Sequence, residues 1–544
     1  MTADLLAGLP VVVGVTGHRD VPESAVPPLQ ERFNAVLGEL QQSHPNTPLL
    51  VLSALAAGAD ILAAQAALDR GITVYAVLPM PQELYEEDFT PAELEVFRAV
   101  LGRCAQAMVA YRGSDREQGY AAAGTTIAYY SHLLVAFWDG LEGNGVGGTA
   151  YVVEMRKTGI PDVVKGQLIP YLPDIGPILH IVTPRTRQPE PDGAFLAIES
   201  YPQRFDGDVR SKEDYEAALR NLDRFNRDTQ CAPVGSLEDL RLRTDDAANG
   251  LQKKYLRSLT SMYIAAIVAG AAQILIVGPQ AVVWRIGILV IAFLIFWRAH
   301  RADYENRYQD YRAIAEGLRV QNAWCCAGLS DRMVDAAYSR MQHSELQWIR
   351  MAIRTAYLIT RSYEPACEPS PQHNACTAWI QDERQYYKSA APREKTRLKD
   401  IEGFSKVFTF VCIAVTAIAI IVGLRSQPHP PAMLLGFTWL PYSAWLASHQ
   451  EALKLLQTTP IALAAMVALM LRFYGQQRGY TENARRYAHM YNVFDYAQKR
   501  LDKTGSGTDG DAAAILHELG REALIEHADW LVLHRERPFQ FVSS

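Results

Sequence analysis

The nineteen-residue run Leu259–Val277 (LTSMYIAAIVAGAAQILIV) carries no charged side chain. As a helix it is long enough to cross the hydrocarbon core of a bilayer. Gly278-Pro279-Gln280 reads as a tight turn, and Ala281–Trp297 follows it, with Arg285 near its start and Phe293, Phe296 and Trp297 toward its end. Two such segments on a three-residue turn make a hairpin. Val407–Leu424 is a third span and Thr459–Leu471, extended to Tyr474, a fourth. Met433–Leu446 is apolar but contains Pro441, so it reads as an interfacial or re-entrant piece. A buried helix of a water-soluble core is the competing reading for each run, and it is strongest for the fourth.

The cations frame these runs on one side. Lys253, Lys254 and Arg257 precede the first, and Arg298, Arg301 and Arg307 follow the second. Lys399 and Lys406 precede the third, and Arg472, Arg478, Arg485 and Arg486 follow the fourth. The first turn is uncharged, and the longer loop holds only Arg425 and Lys454. By the positive-inside rule the expectation is a multi-pass protein of the inner (cytoplasmic) membrane with both termini cytoplasmic. The N-terminus shows no signal-peptide pattern. A net charge of −6 gives no basic footprint, so nucleic acid is not an expected partner. Seven scattered cysteines give no disulfide framework. Cys367, His373 and Cys376 supply three ligand types for zinc but no fourth, so the stretch reads as a polar loop, with no metal site expected.

The first third of the chain is different material. Val11–Val15, Leu49–Leu52, Thr73–Leu78, Leu133–Trp138 and Ile178–Thr183 are short apolar runs, and helical patterns such as Leu29–Leu40 and Asp60–Arg70 lie between them. That alternation predicts an α/β domain, a doubly wound parallel sheet covered on both faces. Ligands of such sheets bind beyond the carboxyl ends of the strands. After Leu133–Trp138 the chain breaks at Asp139-Gly140, passes a glycine-rich loop (Gly143, Gly145, Gly147, Gly148) and starts a helical pattern at Thr149. A strand, a glycine turn and a helix N-terminus make an anion site, because glycine lets the backbone approach and the first helical N–H groups lack partners. Gly147, Gly148 and Thr149 would cradle a phosphate. His18 and Arg19 would donate to phosphate or ribose, and Asp60 and Asp139 would accept from ribose hydroxyls or a base. The other strand ends carry small residues, Thr16, Gly17, Ala57, Gly58, Pro79, Gly140 and Gly145. Singly these residues have plain structural uses, Asp60 as a helix cap and His18 as a satisfied buried histidine.

The series VGVTGHRD, LSALAAGAD, VLPMP with downstream Tyr85 and Asp88-Phe89, then FWDG and GVGGTA, resembles the SLOG superfamily. That group includes the LOG phosphoribohydrolases, DprA-type proteins and the cytoplasmic sensor domain of melastatin-type TRP channels. The resemblance covers about the first third of the chain. It implies a Rossmann-like fold and a nucleotide-derived ligand such as ADP-ribose. LOG enzymes carry a P-G-G-x-G-T-x-x-E motif whose glutamate assists glycosidic cleavage. Here that position is Val152, and the next acid, Glu154, lies about 200° further around the helix. The expected role is therefore a sensor rather than an enzyme, with no catalytic residue.

Each hairpin is followed by a tyrosine-rich polar helix, Arg301–Arg319 and Arg478–Leu501, with Glu305-Asn306 and Glu482-Asn483 as shared pairs, the pattern of a weak internal repeat. YRAIAEGLRVQNAW (Tyr311–Trp324), the hairpins and EHADWLVLHRERPF (Glu526–Phe539) resemble the SLATT membrane effectors of bacterial conflict systems. That resemblance implies assembly of a homo-oligomeric pore or lesion in the lipid bilayer. The expected layout is a nucleotide-binding domain at residues 1–185 and linker helices at 186–250, whose place the sequence does not decide. A hairpin with its helix at 251–345, a connector at 346–404 and a second hairpin with terminal helices at 405–544 complete it. The rival functions are a membrane-tethered nucleotide hydrolase and a constitutive channel or scaffold.

Overall fold

Branched side chains pack well on a pleated surface, and in the computed structural model the β-branched runs form strands. The structure describes residues 6–142, 145–159, 175–189, 191–201, 212–230, 233–275, 279–329, 334, 347–360, 372–425, 450–504 and 509–535. Met433–Leu446, Gly143, Gly278 and Cys367 lie outside the described residues, as do the side chains of Arg285, His373 and Cys376.

The chain divides into two compact units, and the division follows contacts rather than chain order. The first unit comprises Met1–Ala248, Gln309–Cys376 and Asp509–Glu536. The second comprises Asn249–Tyr308, Thr377–Thr508 and Arg537–Ser544.

In the first unit, strands β1 (Val11–Gly17), β2 (Leu49–Ser53), β3 (Thr73–Leu78), β4 (Gln106–Val109), β5 (Leu133–Trp138), β6 (Ile178–Val182) and β7 (Ala197–Ser200) form one sheet in the order β4-β3-β2-β1-β5-β6-β7. All neighbours are parallel except β6 and β7. Val11, Val12 and Val13 point alternately to opposite faces and are all fully buried, so both faces are covered. Helix α1 (Val26–Ser43) buries Leu29, Phe33 and Leu37, four residues apart, and packs with α2 (Ala59–Asp69). A single turn, α3 (Gln82–Tyr85), leads to α4 (Pro91–Leu101), which starts on a capping box between Thr90 and Glu93. Helices α5 (Arg116–Tyr130) and α6 (Thr149–Thr158) pack together. Arg156 of α6 donates to the carbonyls of Ala128 (3.0 Å) and Ser131 (2.7 Å) at the C-terminal end of α5, where a cation is favoured.

Two strands depart from expectation. β4 is a half-exposed edge strand with no continuous apolar run, and β7 lies inside the stretch Arg187–Arg210 that its Pro, Asp and Gly content marks as loop. The helix Lys212–Asp228, undecided from sequence, docks at the amino ends of the strands. Asn226 accepts from the Leu9 N–H and donates to the Leu9 carbonyl, both at 2.8 Å, as a neighbouring strand would. Asp223 accepts from the Asn46 N–H, from the Asn46 side chain and from the Thr47 hydroxyl ahead of β2.

Later parts of the chain complete this unit. Helix Gln347–Thr360 packs on α5 and on Lys212–Asp228. Its Arg354 donates to the Tyr129 carbonyl (2.6 Å) and stacks on the Tyr129 ring, and Thr355 bonds the buried His132 (3.1 Å). His132 also accepts the Val12 N–H, and burial drives its pKa down to about 3. Within Tyr304–Cys326, Trp324 is fully buried and donates to the Leu516 carbonyl of Asp509–Arg535.

The second unit is helical. Among the described residues three helical stretches, Leu237–Ala272, Val282–Cys326 and Ala378–Ile418, the first two of which run on into the first unit, are long and apolar enough to cross a membrane. The turn residues Pro279 and Gln280 are the first residues of helix Pro279–Arg301, proline being favoured there. The run Thr459–Leu471 lies within helix Gln450–Gln477, which is not among the three. A Cβ at Gly270 would strike Met466, so the first and fourth runs cross closely there. Cys412 reaches the Ile461 carbonyl at 3.3 Å, pairing the third with the fourth.

The same turn follows the second and the fourth apolar run. Asp303 (φ +51°) and Gly479 (φ +60°) are left-handed residues. Ahead of them the amides of Ala302 and Arg478 bond the carbonyls four residues back. Beyond them the amides of Arg307 and Asn483 bond Asp303 and Gly479, and their side chains reach the carbonyls of Ala302 and Arg478. This matches Asp303 with Gly479 and Arg307 with Asn483. The Glu-Asn pairs that mark the repeat in sequence are therefore one residue out of structural register.

Candidate functional site

In the strand order the connections reverse direction between β1 and β5, and the carboxyl ends of those two strands mark the switch point. Asp139, the first residue after β5, is the hub there, its side chain only 2% exposed. It meets His18 Nε2 at 3.1 Å and Arg185 Nη1 at 3.0 Å, while Arg185 Nε donates to Asp20 at 2.8 Å. These bonds tie together the ends of β1, β5 and β6. Asp139 also accepts the Leu141 N–H, which shapes the turn at Gly140 (φ +84°). Burial raises its pKa, but the hydrogen bonds from Arg185 and Leu141 hold its carboxyl below the ordinary value. The carboxylate expected to meet a ligand thus has internal partners.

His18 Nε2 lies 3.1 Å from both the Asp139 amide nitrogen and the Asp139 carboxylate. One nitrogen cannot accept from the first and donate to the second together. Burial lowers the His18 pKa, so the neutral ring accepts the amide and carries its proton on Nδ1.

The β1 and β2 exits touch backbone to backbone. The Ala59 N–H bonds the His18 carbonyl (3.0 Å), and a Cβ at Gly58 (φ +85°) would collide with the carbonyls of His18 and Arg19. Only glycine fits. Thr16 is buried, and Ala57, with Asp60 in the first turn of α2, is buried behind this crossing. Burial raises the Asp60 pKa to about 7, against the pull of Arg19 and of the Ala56 and Gly17 amides, and its Oδ1 has no hydrogen-bond partner. A Cβ at Gly17 would come within 2.5 Å of Ala59.

The glycine loop stands against α5. A Cβ at Gly147 (φ +80°) would lie 2.5 Å from Tyr120 Cβ and 2.8 Å from the Ala121 nitrogen. Gly145 has open space around it, and Gly148 caps α6 with no side chain to bond the first N–H groups. Those amides are left for a ligand or solvent. Thr149 is buried at the start of the helix.

Tyr120 joins the two halves. Its backbone abuts Gly147 and its ring lies under the Arg19 guanidinium at 5.3 Å. Arg19 also faces Asp88 at 4.0 Å, and Asp88 pairs with Arg116. The Tyr85 ring is buried against Tyr120 and Phe89, and its hydroxyl has no partner. The carbonyl of Pro79 lies 2.8 Å from where a Gly119 Cβ would stand, which brings α5 onto the end of β3. Arg185, Tyr120 and Arg116 were not legible as site residues, since each stands outside the glycine and strand-end motifs.

On α6, Val152 is buried, and a Cβ at Gly124 of α5 would lie 2.5 Å from its Cγ2, while Glu154 is exposed. No carboxylate of α6 faces the loop at position 152. Among the described residues no group of three or more His, Cys, Asp or Glu is placed to hold a metal ion. No protein-family model matches the chain, and no curated protein matches it.

Proposed function

We propose that the first unit binds an anionic nucleotide derivative of the ADP-ribose class at the β1/β5 switch point, and that occupancy changes how the apolar helices of the second unit associate in a bilayer and permeabilises it. On this reading the chain is a SLOG-type sensor joined to a SLATT-type effector, working as a homo-oligomer in bacterial defence, with its termini in the cytoplasm. Phosphate would lie against the amides of Gly147, Gly148 and Thr149, with Arg19 on its platform of Tyr120 as the movable cation.

The observation that carries the coupling is the interleaving of the two units. The chain leaves the sheet unit for each apolar hairpin and each time returns to it, through Tyr304–Cys326 and through Asp509–Arg535. Arg354, on a helix reached after the first return, grips the far end of the same α5 that carries Tyr120, and Thr355 beside it bonds His132 just beyond that end. A ligand that moves Tyr120 therefore acts on a helix held by the returning chain. The ligand must bind one assembly state more tightly, by about 10⁴-fold to move a 1:99 mixture to 99:1.

The test uses the full chain, because residues 1–250 would lack the helix that holds α5. Thermal unfolding in detergent with ADP-ribose, AMP or phosphate, and dye release from liposomes with the same compounds, read the two halves of the proposal. A ligand at a hundred times its Kd adds about 2.7 kcal/mol, so the melting temperature rises. Dye is released only with that ligand, and Gly148→Glu removes both effects. Steady release of base or ribose would show a hydrolase instead. Dye release indifferent to ligand and to Gly148→Glu would show a constitutive channel.

A further inference from the structure

Within the second unit four helices line an open groove of about 1110 Å³, the last of them, Tyr480–Thr504, through Thr481 and Glu482. That is slightly above the usual range of small-ligand sites, roughly 300–1,000 Å³. Met262 and Tyr263 line it from Leu237–Leu275, Ile401 from Gln372–Arg425, and Met470 and Phe473 from Gln450–Gln477. Its charged lining residues are Glu402, Lys406, Arg472 and Glu482, two anions and two cations, and Lys406 faces Glu402 one helical turn away at 4.0 Å. Gln372–Arg425 presents Leu398, Ile401, Glu402 and Ser405 at helical spacing to this groove, so one face of the helix is committed to it.

Its position is set by the apolar runs. Lys406 is the last residue before the run Val407–Leu424, and Arg472 the first after Thr459–Leu471. Tyr263 lies near the start of Leu259–Val277, and its ring meets that of Tyr474 at 5.5 Å. The groove thus lies where three apolar helices reach their cation-rich ends. It runs onto exposed apolar surface, for Phe473 lines it and is 47% exposed, and Val407, beside Lys406, is 58% exposed. Water filling the groove would wet the Met262, Ile401, Met470 and Phe473 side chains, at a cost of roughly 25 cal/mol per Å² of apolar surface.

We propose that this groove holds an aminophospholipid, its phosphate against Lys406 and Arg472, its ammonium toward Glu402 and Glu482, and the upper part of an acyl chain along Met262, Ile401 and Phe473. The proposal rests on the membrane reading above. A headgroup that is only anionic sets its charge beside Glu402 and Glu482, whereas phosphoethanolamine brings both signs to a lining that holds both. The bound lipid bridges helices of both hairpins at the level of the headgroups.

Native mass spectrometry of the full chain, purified from membranes in mild detergent, tests this against vesicles of phosphatidylethanolamine, phosphatidylglycerol or both. The wild type keeps phosphatidylethanolamine in preference to phosphatidylglycerol. Lys406→Glu with Arg472→Glu lowers its retention by roughly tenfold. Ala266→Trp, which fills the groove without changing charge, does the same, and both variants still sediment with membranes and keep their helical circular dichroism. A wild type that sediments with membranes but keeps no lipid, or prefers phosphatidylglycerol, overturns the assignment and leaves the membrane reading standing. A chain that stays in solution without detergent removes the membrane reading and the lipid site together.

Discussion

Val11, Val12 and Val13 in the first unit are fully buried, whereas Val283, Trp284 and Phe410 in the second are 72%, 64% and 71% exposed. Both regions are rich in large apolar residues, but only the first arranges them with a period that a sheet and its helices can close over. Pro279–Arg301 is apolar around its circumference, and nearly every described side chain between 282 and 300 is open or half-open. A helix of that kind requires a non-aqueous surround. Apolar content alone does not separate the two units. What separates them is whether the polar residues fall on one face or only at the ends.

The comparison can be broken most sharply inside the first unit. Trp324→Ala removes the fully buried indole that joins the two returning segments, and we expect a loss of about 4 kcal/mol. Chemical unfolding followed by a probe on the sheet measures it. An unchanged midpoint would mean that the returning helices do not belong to the sheet unit. In the second unit Ile291→Arg, mid-helix and 57% exposed, should cost about 3 kcal/mol of insertion, read as loss from the membrane fraction. On a water-facing helix the same change would be nearly neutral.

A smaller effect is expected at Asp60. Its folded pKa, raised to about 7 from an ordinary 3.8, means that the folded state holds a proton the unfolded chain releases between those values. Stability from this group is therefore lost as pH rises from about 4 through 7. Asp60→Asn should melt a few degrees above wild type at pH 8, with the gap closing toward pH 4. A gap independent of pH would show that Asp60 is ionised in the folded protein. The smallest effect is expected for Glu154→Gln, within about 0.5 kcal/mol and with no change in any ligand-induced shift. A lost ligand response there would bring the α6 carboxylate back into the chemistry.

Much of the first unit was legible because buried parallel strands announce themselves. Thr73–Leu78 and Leu133–Trp138 match their expected bounds, and three more strands fall within two residues of theirs. The edge strands β4 and β7 were not legible, since an edge lacks the two-sided burial that makes a run uniformly apolar. The glycine loop and strand ends of the site were readable as a set, and the positive φ of Gly58, Gly140 and Gly147 gives a physical reason for three of them. The partners of Asp139 were not readable. Arg185 reaches it over forty-six positions of sequence, through the parallel pairing of β5 and β6, and no local pattern encodes that. The interleaved units were equally hidden, because a helix that returns to a distant sheet shows the same amphipathic stripe as one that packs on its neighbour.

That interleaving fixes an order of biosynthesis. Asp509–Arg535 leaves the ribosome only after all four apolar runs have been made, yet it supplies the carbonyl that receives the Trp324 indole. The sheet is translated first and finished late. A nascent chain stalled before Gln450–Gln477 would own every glycine of the loop and still lack the helix that receives the Trp324 indole, so the half-made molecule has its loop in hand before its scaffold is closed.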